Sequence, residues 1–220
     1  MRLCCVIGFA LTVCACYGQS LTLGVVGGGR LTDDLTGNAT SESKRYAVGP
    51  EAELSLPFGL AIEVDAIYRR EGYLDTAPTL FSSVPVGFQP YYQYERANSW
   101  EVPVLLKYKT SFPVVKPFVE AGYAPRVLSG TLDSFTTTYC NPITNVCQGG
   151  QSTQTGTNWK PSNGLIIGGG VQVGLGRLRI SPEVRFTRWS NAAIEVTQLF
   201  SFQSTQNQVD VLVGIGWKVH

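Results

Sequence analysis

Few residues in this chain are of the types that carry out acid–base or nucleophilic catalysis. The only histidine among the 220 residues is His220, the last one. Serine and threonine hydroxyls are weak nucleophiles without a positioned base. Asp33 and Asp34 form an adjacent acidic pair, which is more typical of a solvated turn than of a catalytic pair or a calcium site. The sequence therefore predicts a protein that is not an enzyme and that needs no metal or cofactor.

Two glycine triplets, at positions 27–29 and 168–170, have the composition of phosphate-binding loops. Neither is followed by Lys-Ser/Thr or by a helical pattern, both of which such a loop requires. Inside a strand, glycine instead marks a bend or a place where a neighbouring group needs room. We expect both triplets to have a structural role in strands and not to bind phosphate.

The charge balance excludes one class of partner. The chain has 17 Lys+Arg against 16 Asp+Glu, a formal net charge of +1. Nucleic-acid binders usually show a basic excess gathered into a patch, so nucleic acid is not expected. Charged residues make up only 15% of the chain, well below the ~25% usual for soluble domains.

Residues 1–18 have the pattern of a secretory signal peptide, because Arg2 precedes a short apolar run and small residues follow it. The alternative is a lipoprotein acylated at Cys16. Cleavage after Gly18 would leave residues 19–220 as one domain, in which Cys140 and Cys147 are the only cysteines. Since secreted proteins tend to pair such thiols, we predict a disulfide between them that closes a loop tip.

Apolar and polar residues alternate with a period of two, which is the pattern of a half-buried β-strand. Val209 to Val219 is the clearest case, and seven further segments of roughly ten residues show the same pattern. Short turns are predicted at Leu56–Gly59, Thr110–Val115 and Gly174–Gly176. Long polar loops are predicted at Leu31–Glu42, Glu71–Arg96, Ser129–Asn158 and Ser190–Asn207. Short turns at one end and long loops at the other are the usual asymmetry of an outer-membrane barrel.

Alternation alone leaves two arrangements open. A soluble barrel of lipocalin type places its apolar face inward, whereas a membrane barrel places it outward. Aromatic residues near both strand ends favour the membrane barrel, because such rings settle at lipid–water interfaces. Those toward the long loops are Tyr46, Tyr68, Trp159 and Trp189, and those toward the short turns are Phe58, Tyr108, Phe112, Phe118 and Trp217.

The segments LTLGVVGGG, WEVPVLLKYK, KPFVEAGYAPRVL, RLRISPEVRFTRW and VDVLVGIGWKV carry a resemblance to a known family. The mature chain resembles the small outer-membrane β-barrel proteins of Gram-negative-type bacteria, the OmpA/OmpX-like and porin-family barrel domains. The resemblance implies an all-β, eight-stranded antiparallel up-and-down transmembrane barrel. It also implies a monomer in the outer membrane, in contact with lipid.

If the apolar faces meet lipid, the charged faces share a narrow interior. The predicted inward residues are Glu51, Glu53, Glu63, Asp65, Arg69, Glu101, Lys107, Glu120, Arg177, Arg179, Glu183, Arg185 and Asp210. A buried charge is costly unless it is paired. We therefore predict an ion-pair network centred on Arg179, Glu183 and Arg185 against Glu63, Asp65 and Glu120, which closes the lumen.

These features predict a structural, adhesive or surface-recognition role through four extracellular loops. Exposed aromatic residues make residues 71–96, 129–158 and 190–207 the candidate contacts for an extracellular partner. Two alternatives stay open. One is a narrow passive channel for small solutes, and the other is a periplasmic ligand-binding barrel.

Overall fold

A computed structural model describes residues 20–33, 35–36, 40–41, 43–79, 89–110, 112, 114–136, 139–140, 147–148, 152–158, 161–192, 195–196 and 202–219. Residues 1–18, the predicted signal peptide, and His220 lie outside this part of the chain. Among the described residues, no helix is long and apolar enough to span a membrane.

The described residues form seventeen β-strands and one short 3₁₀ turn, Pro57–Gly59. The strands are β1 Ser20–Arg30, β2 Leu35–Thr36, β3 Thr40–Ser41, β4 Tyr46–Ser55, β5 Leu60–Asp65, β6 Ile67–Thr79, β7 Gln89–Glu101, β8 Val104–Lys109, β9 Val115–Thr136, β10 Tyr139–Cys140, β11 Cys147–Gln148, β12 Ser152–Asn158, β13 Ser162–Leu175, β14 Leu178–Trp189, β15 Glu195–Val196, β16 Phe202–Ser204 and β17 Asn207–Lys218.

Eight wall strands close into an antiparallel barrel. They are β1, β4, the continuous pair β5–β6, the pair β7–β8, β9, β13, β14 and β17, each paired with the next. The last wall strand returns to the first, with Thr22 opposite Lys218 at one end and Arg30 opposite Asp210 at the other. The predicted fold class is confirmed.

Two wall strands are interrupted, and proline accounts for one of the breaks. Strands β7 and β8 separate at Val102 and Pro103, where Pro103 has no amide hydrogen to donate to a neighbouring strand. Its carbonyl oxygen still accepts from the amide of Asp65, with an N···O distance of 3.1 Å. The wall therefore stays continuous across the break.

The three predicted short turns all lie at one end of the barrel, which we call the turn end. The opposite end, the loop end, differs from the prediction. Glu71–Arg96 and Ser129–Asn158 were expected to be loops, but β6 pairs with β7 from Ile67–Glu101 out to Thr79–Gln89. Likewise β9 runs on to Thr136 and pairs with β12. The sequences of these ribbons lack the apolar–polar alternation of the wall strands, although their backbones still pair.

The shorter predicted loops also contain paired segments. Strands β2, β15 and β16 form a small three-stranded sheet, which joins the Leu31–Glu42 and Ser190–Asn207 segments. Strands β10 and β11 form a separate two-residue ladder in which Cys140 lies opposite Cys147.

Candidate functional site: the barrel interior

The polarity of the wall is inverted relative to a soluble barrel. Along β8, Leu105, Lys107 and Lys109 are buried, while Val104, Leu106 and Tyr108 are exposed. The same inversion holds along β5 and β17, where Glu63, Asp65 and Asp210 are buried between exposed valines and isoleucines. The exterior is therefore apolar, and the charged face lines the interior.

A central group of six side chains fills the middle of the interior. Arg185 bridges four carboxylates: its guanidinium nitrogens lie 2.7 Å from Glu63, 2.6 Å from Asp65, 3.0 Å from Glu120 and 2.5 Å from Glu183. All of these side chains are almost completely buried. Water is excluded from the ion pairs, and each carboxylate depends on a protein cation for its compensation.

Lys107 is the second cation of the central group. Its Nζ lies 2.7 Å from Glu63, 3.1 Å from Glu120 and 3.1 Å from Glu183, and 4.5 Å from the centre of the Phe118 ring. One oxygen from each of the three glutamates lies within 4.8 Å of the others, which is the spacing of a metal site. Since Nζ pairs with all three glutamates, the cation in this cage is the chain's own ammonium group.

Strand register and one glycine bring the central group together. Lys107 lies directly opposite Glu120 across β8 and β9. Gly168 lies between Glu120 on one side and Arg185 on the other. A Cβ atom at position 168 would lie 2.5 Å from Oε1 of Glu120, so the missing side chain leaves the space through which Arg185 reaches across β13. The second glycine triplet thus has the structural role that the sequence predicted for it.

A turn-side group lies nearer the turn end. Glu53 forms ion pairs with both Lys109 and Arg179. Lys109 also donates a hydrogen bond to Oε1 of Gln172 at 3.2 Å, and Arg179 donates to Oγ of Ser55 at 3.2 Å.

A loop-side group covers the other end of the central group. Arg69 donates to both carboxylate oxygens of Asp210, at 3.1 and 2.8 Å, and its Nε lies 3.2 Å from Glu101. Gln208 donates to Asp210 and accepts a hydrogen bond from the indole of Trp189 at 3.0 Å. Beyond it, the guanidinium of Arg126 stacks on the Trp189 ring at 3.9 Å.

The structure therefore brings together five of the six residues predicted as the network centre: Glu63, Asp65, Glu120, Glu183 and Arg185. The placement of Arg179 in that centre was wrong. Arg179 is six residues from Arg185 on β14, about 20 Å along an extended strand, so it pairs with Glu53 instead. Arg177, also predicted to point inward, is exposed beside the turn between β13 and β14.

Sequence reasoning missed several interior residues and misplaced two aromatic ones. Lys109, Arg126 and Gln208 all lie on the inward parity of their strands. Applying the alternation to the ends of these strands would have added all three to the predicted inward residues. Trp189 and Phe118 were predicted at the lipid interfaces but are buried in the interior. Each lies on the same parity as the buried charges of its strand, whereas the prediction placed both rings by their position near a strand end.

No family model matches this sequence, and no curated protein does. Solved structures do. The chain is similar to the outer membrane protein OprG from Pseudomonas aeruginosa, with a TM-score of 0.50 and 11% identity over 92% of this chain and 95% of that one. The fold is that of a small outer-membrane β-barrel. The chain is also similar, with lower TM-scores, to two further structures. One is Neisserial surface protein A, with a TM-score of 0.45 and 13% identity over 92% of this chain and 99% of that one. The other is a major outer membrane protein from Thermus thermophilus, with a TM-score of 0.47 and 14% identity over 92% of this chain and 100% of that one.

Proposed function

We propose that this protein is an integral barrel of the bacterial outer membrane, with its turn end in the periplasm, residues 1–18 acting as a signal peptide, and a closed lumen. The observation that carries the proposal is the inverted polarity of the wall. An outer face of valine, leucine and isoleucine is stable in hydrocarbon, whereas in water it would be a large exposed apolar surface of the kind that soluble monomers avoid. The same observation argues against the periplasmic ligand-binding barrel.

The height of the apolar band supports the proposal. On the β7–β8 wall strand, Trp100, Val102, Val104, Leu106 and Tyr108 are all exposed. These residues cover about 26 Å along the strand, or about 20 Å along the membrane normal at the usual tilt. An aromatic ring stands at each end of the band, as expected where amphipathic rings mark the two interfaces.

Gel mobility and cell fractionation test the membrane proposal. We expect the protein in the outer-membrane fraction, with a band that migrates differently before and after boiling in SDS. Identical mobility together with recovery in the soluble fraction would contradict it. An epitope inserted between residues 84 and 85 is expected to be labelled on intact cells, and one inserted beside Phe112 only after permeabilisation. The reverse labelling would overturn the proposed orientation.

We further propose that the barrel acts at its loop end, in a structural, adhesive or recognition role, and does not conduct. Three groups of buried ion pairs and hydrogen bonds occupy the described interior, and the paired ribbons extend recognition surfaces beyond the wall. A planar bilayer distinguishes this proposal from the channel alternative. We expect no steady single-channel conductance from the purified wild type, and reproducible openings would favour the channel.

A further inference from the structure

A cavity of about 280 Å³ lies at the turn end of the barrel, and we call it the turn-end vestibule. Its lining includes three cationic side chains, Lys116, Arg179 and Lys218. Lys116 and Arg179 are half-buried, and Lys218 is exposed. Each cation lies on the inward parity of its strand, so the vestibule is on the inner side of the wall. The other lining residues are Val114, Gln172, Gly174 and Gly176.

Strand register brings the vestibule's side chains together around Arg179. Arg179 lies opposite Gly174 on β13 and opposite Gly216 on β17. A Cβ atom at Gly174 would have no atom within 4 Å, so this side of Arg179 is open space. Gln172 and Lys218 each lie two positions from one of these glycines, which makes them diagonal neighbours of Arg179. Diagonal pairs on one sheet face are about 7–8 Å apart, within reach of long side chains.

Two residues of the turn-side group, Gln172 and Arg179, form part of the vestibule's lining. Glu53 is the acid of that group, and it already pairs with both Lys109 and Arg179. Lys116 lies directly opposite Gln172 across β9 and β13. Since Glu53 compensates two cations, Arg179 keeps only a share of one carboxylate.

The two lysines of the vestibule, Lys116 and Lys218, form no side-chain ion pair within the described part of the chain. Every other described lysine or arginine on the inner face of the wall has a carboxylate or an aromatic ring as a partner. The vestibule is therefore the part of the described interior where cations converge without a matching set of acids.

Few acidic residues of the chain can reach the turn end. Of the 16 acids, seven belong to segments that connect or extend the wall strands at the loop end: Asp33, Asp34, Glu42, Asp75, Glu95, Asp133 and Glu195. Seven more pair with cations in the central group or nearer the loop end: Glu63, Asp65, Glu71, Glu101, Glu120, Glu183 and Asp210. Only Glu51 and Glu53 remain for the turn end.

The charges at the turn end therefore do not balance. The two glutamates face five cations, which are Lys109, Lys116, Arg177, Arg179 and Lys218. Glu51 is directed toward β17, since its Oε2 lies 2.5 Å from the position of a Cβ atom at Gly214. The terminal carboxylate of His220, which lies outside the described residues, would compensate one more cation. An excess of about two positive charges is left even then, and like charges in a confined space repel one another.

Charge, size and position indicate the class of ligand that would fit. A phosphomonoester carries about −1.5 to −2 at neutral pH, which matches the excess, whereas a carboxylate carries only one negative charge. Arginine binds phosphate through parallel hydrogen bonds, and lysine contributes a point charge. The cavity is slightly below the ~300–1,000 Å³ of drug-sized ligand sites, so the ligand is small. Its cations face away from the lipid side of the wall, which favours a soluble anion over a lipid headgroup.

We propose that the turn-end vestibule binds a small soluble phosphate, either inorganic phosphate or a phosphomonoester, between Lys116, Arg179 and Lys218. The proposal goes beyond a structural or recognition role at the loop end. Binding requires only the barrel fold, whereas access from the periplasm rests on the proposed orientation.

The test uses the full mature chain, refolded in dodecyl maltoside without phosphate buffer, and follows backbone amide NMR shifts at constant ionic strength. The probes are inorganic phosphate, glycerol 3-phosphate and acetate. We expect both phosphates to shift the amides of the lining residues and to bind at least ~10-fold more tightly than acetate, about 1.4 kcal/mol. Dioleoyl phosphatidic acid in the same micelles is not expected to displace them. Equal binding of acetate, displacement by the lipid, or no amide shift with either phosphate would overturn the proposal.

A pair of double variants tests the site itself. Lys116→Gln/Lys218→Gln removes the two lysines that lack a described ion pair, and we expect it to weaken phosphate binding at least ~10-fold. The matched control, Lys44→Gln/Arg70→Gln, removes two exposed cations at the loop end and should keep the wild-type affinity. Equal losses in the two double variants would overturn the vestibule as a specific site.

The unheated gel band reports folding of every variant and separates this proposal from the membrane proposal. Loss of phosphate binding with an intact heat-dependent band shift supports the site. A wild type that shows no heat-dependent band shift and stays soluble without detergent would instead overturn the membrane proposal.

Discussion

At the scale of single residues, Arg185 forms ion pairs with four buried carboxylates. We therefore expect its substitution to destabilise the barrel more than substitution of any other described interior residue. Replacing Arg185 with methionine removes the cation. Glu63, Glu120 and Glu183 then keep Lys107 alone, and Asp65 loses the cation with which it pairs. Breaking a buried ion pair by removing one partner costs about 3–5 kcal/mol. We expect Arg185→Met to lower the urea midpoint of unfolding in detergent or bilayer by a corresponding amount.

Two further variants separate the electrostatic cause from a loss of packing. Adding Glu183→Gln to Arg185→Met removes one of the stranded acids and should recover part of the midpoint. Arg177→Met, at an exposed position in the turn between β13 and β14, should leave the urea midpoint unchanged. An unchanged midpoint for Arg185→Met itself would contradict the network.

The cysteine pair supplies a second prediction at this scale. Residues directly opposite in an antiparallel ladder have Cα atoms about 4.5–5.5 Å apart, and disulfides form over 4.4–6.8 Å. Cys140 and Cys147 are opposite one another, so we expect a disulfide that resists alkylation until reductant is added. Cys140→Ser/Cys147→Ser should leave the unfolding midpoint of the barrel unchanged, because the ladder lies beyond the wall. Alkylation of both thiols without reductant would rule the disulfide out.

At the scale of the elements, closure depends on the close approach of β1 and β17. A Cβ atom at Gly28 would overlap the carbonyl oxygen of Val211 and lie 2.8 Å from Cα of Leu212. At the adjacent Gly27 the nearest atom is 3.6 Å away, an ordinary contact. We expect Gly28→Ala to impair refolding, measured as a smaller fraction of the heat-shifted gel band, and Gly27→Ala to refold like the wild type. Equal refolding of both variants would contradict the inference that closure depends on the close approach of β1 and β17.

At the scale of the whole molecule, the proposed membrane location requires that lipid stabilises the apolar outer face. Val104 lies midway between Trp100 and Tyr108 on the exposed face, so in the proposed membrane location an arginine there would lie near the middle of the hydrocarbon. Arginine at the bilayer midplane of a barrel costs about 2–4 kcal/mol, and much less near the interface. We expect Val104→Arg to lower the unfolding free energy in bilayers by that amount, and Ser129→Arg, level with Asn98 beyond the aromatic rings, to have little effect. A soluble barrel would tolerate both substitutions, so equal stability of the two variants would argue against membrane insertion.

The sequence by itself determined the wall of the barrel and the direction of most of its charges. An apolar outer face and a narrow charged interior impose a strict period of two, and the sequence shows that period at Glu63, Asp65, Glu183 and Arg185. Tertiary structure decided which charges meet, because strand register and tilt are set by closure of the whole sheet. For that reason Arg179 pairs with Glu53, and Lys107 joins the centre. The pairing in the loop-end ribbons was not predicted, because their sequences lack the alternation of the wall strands while their backbones still pair.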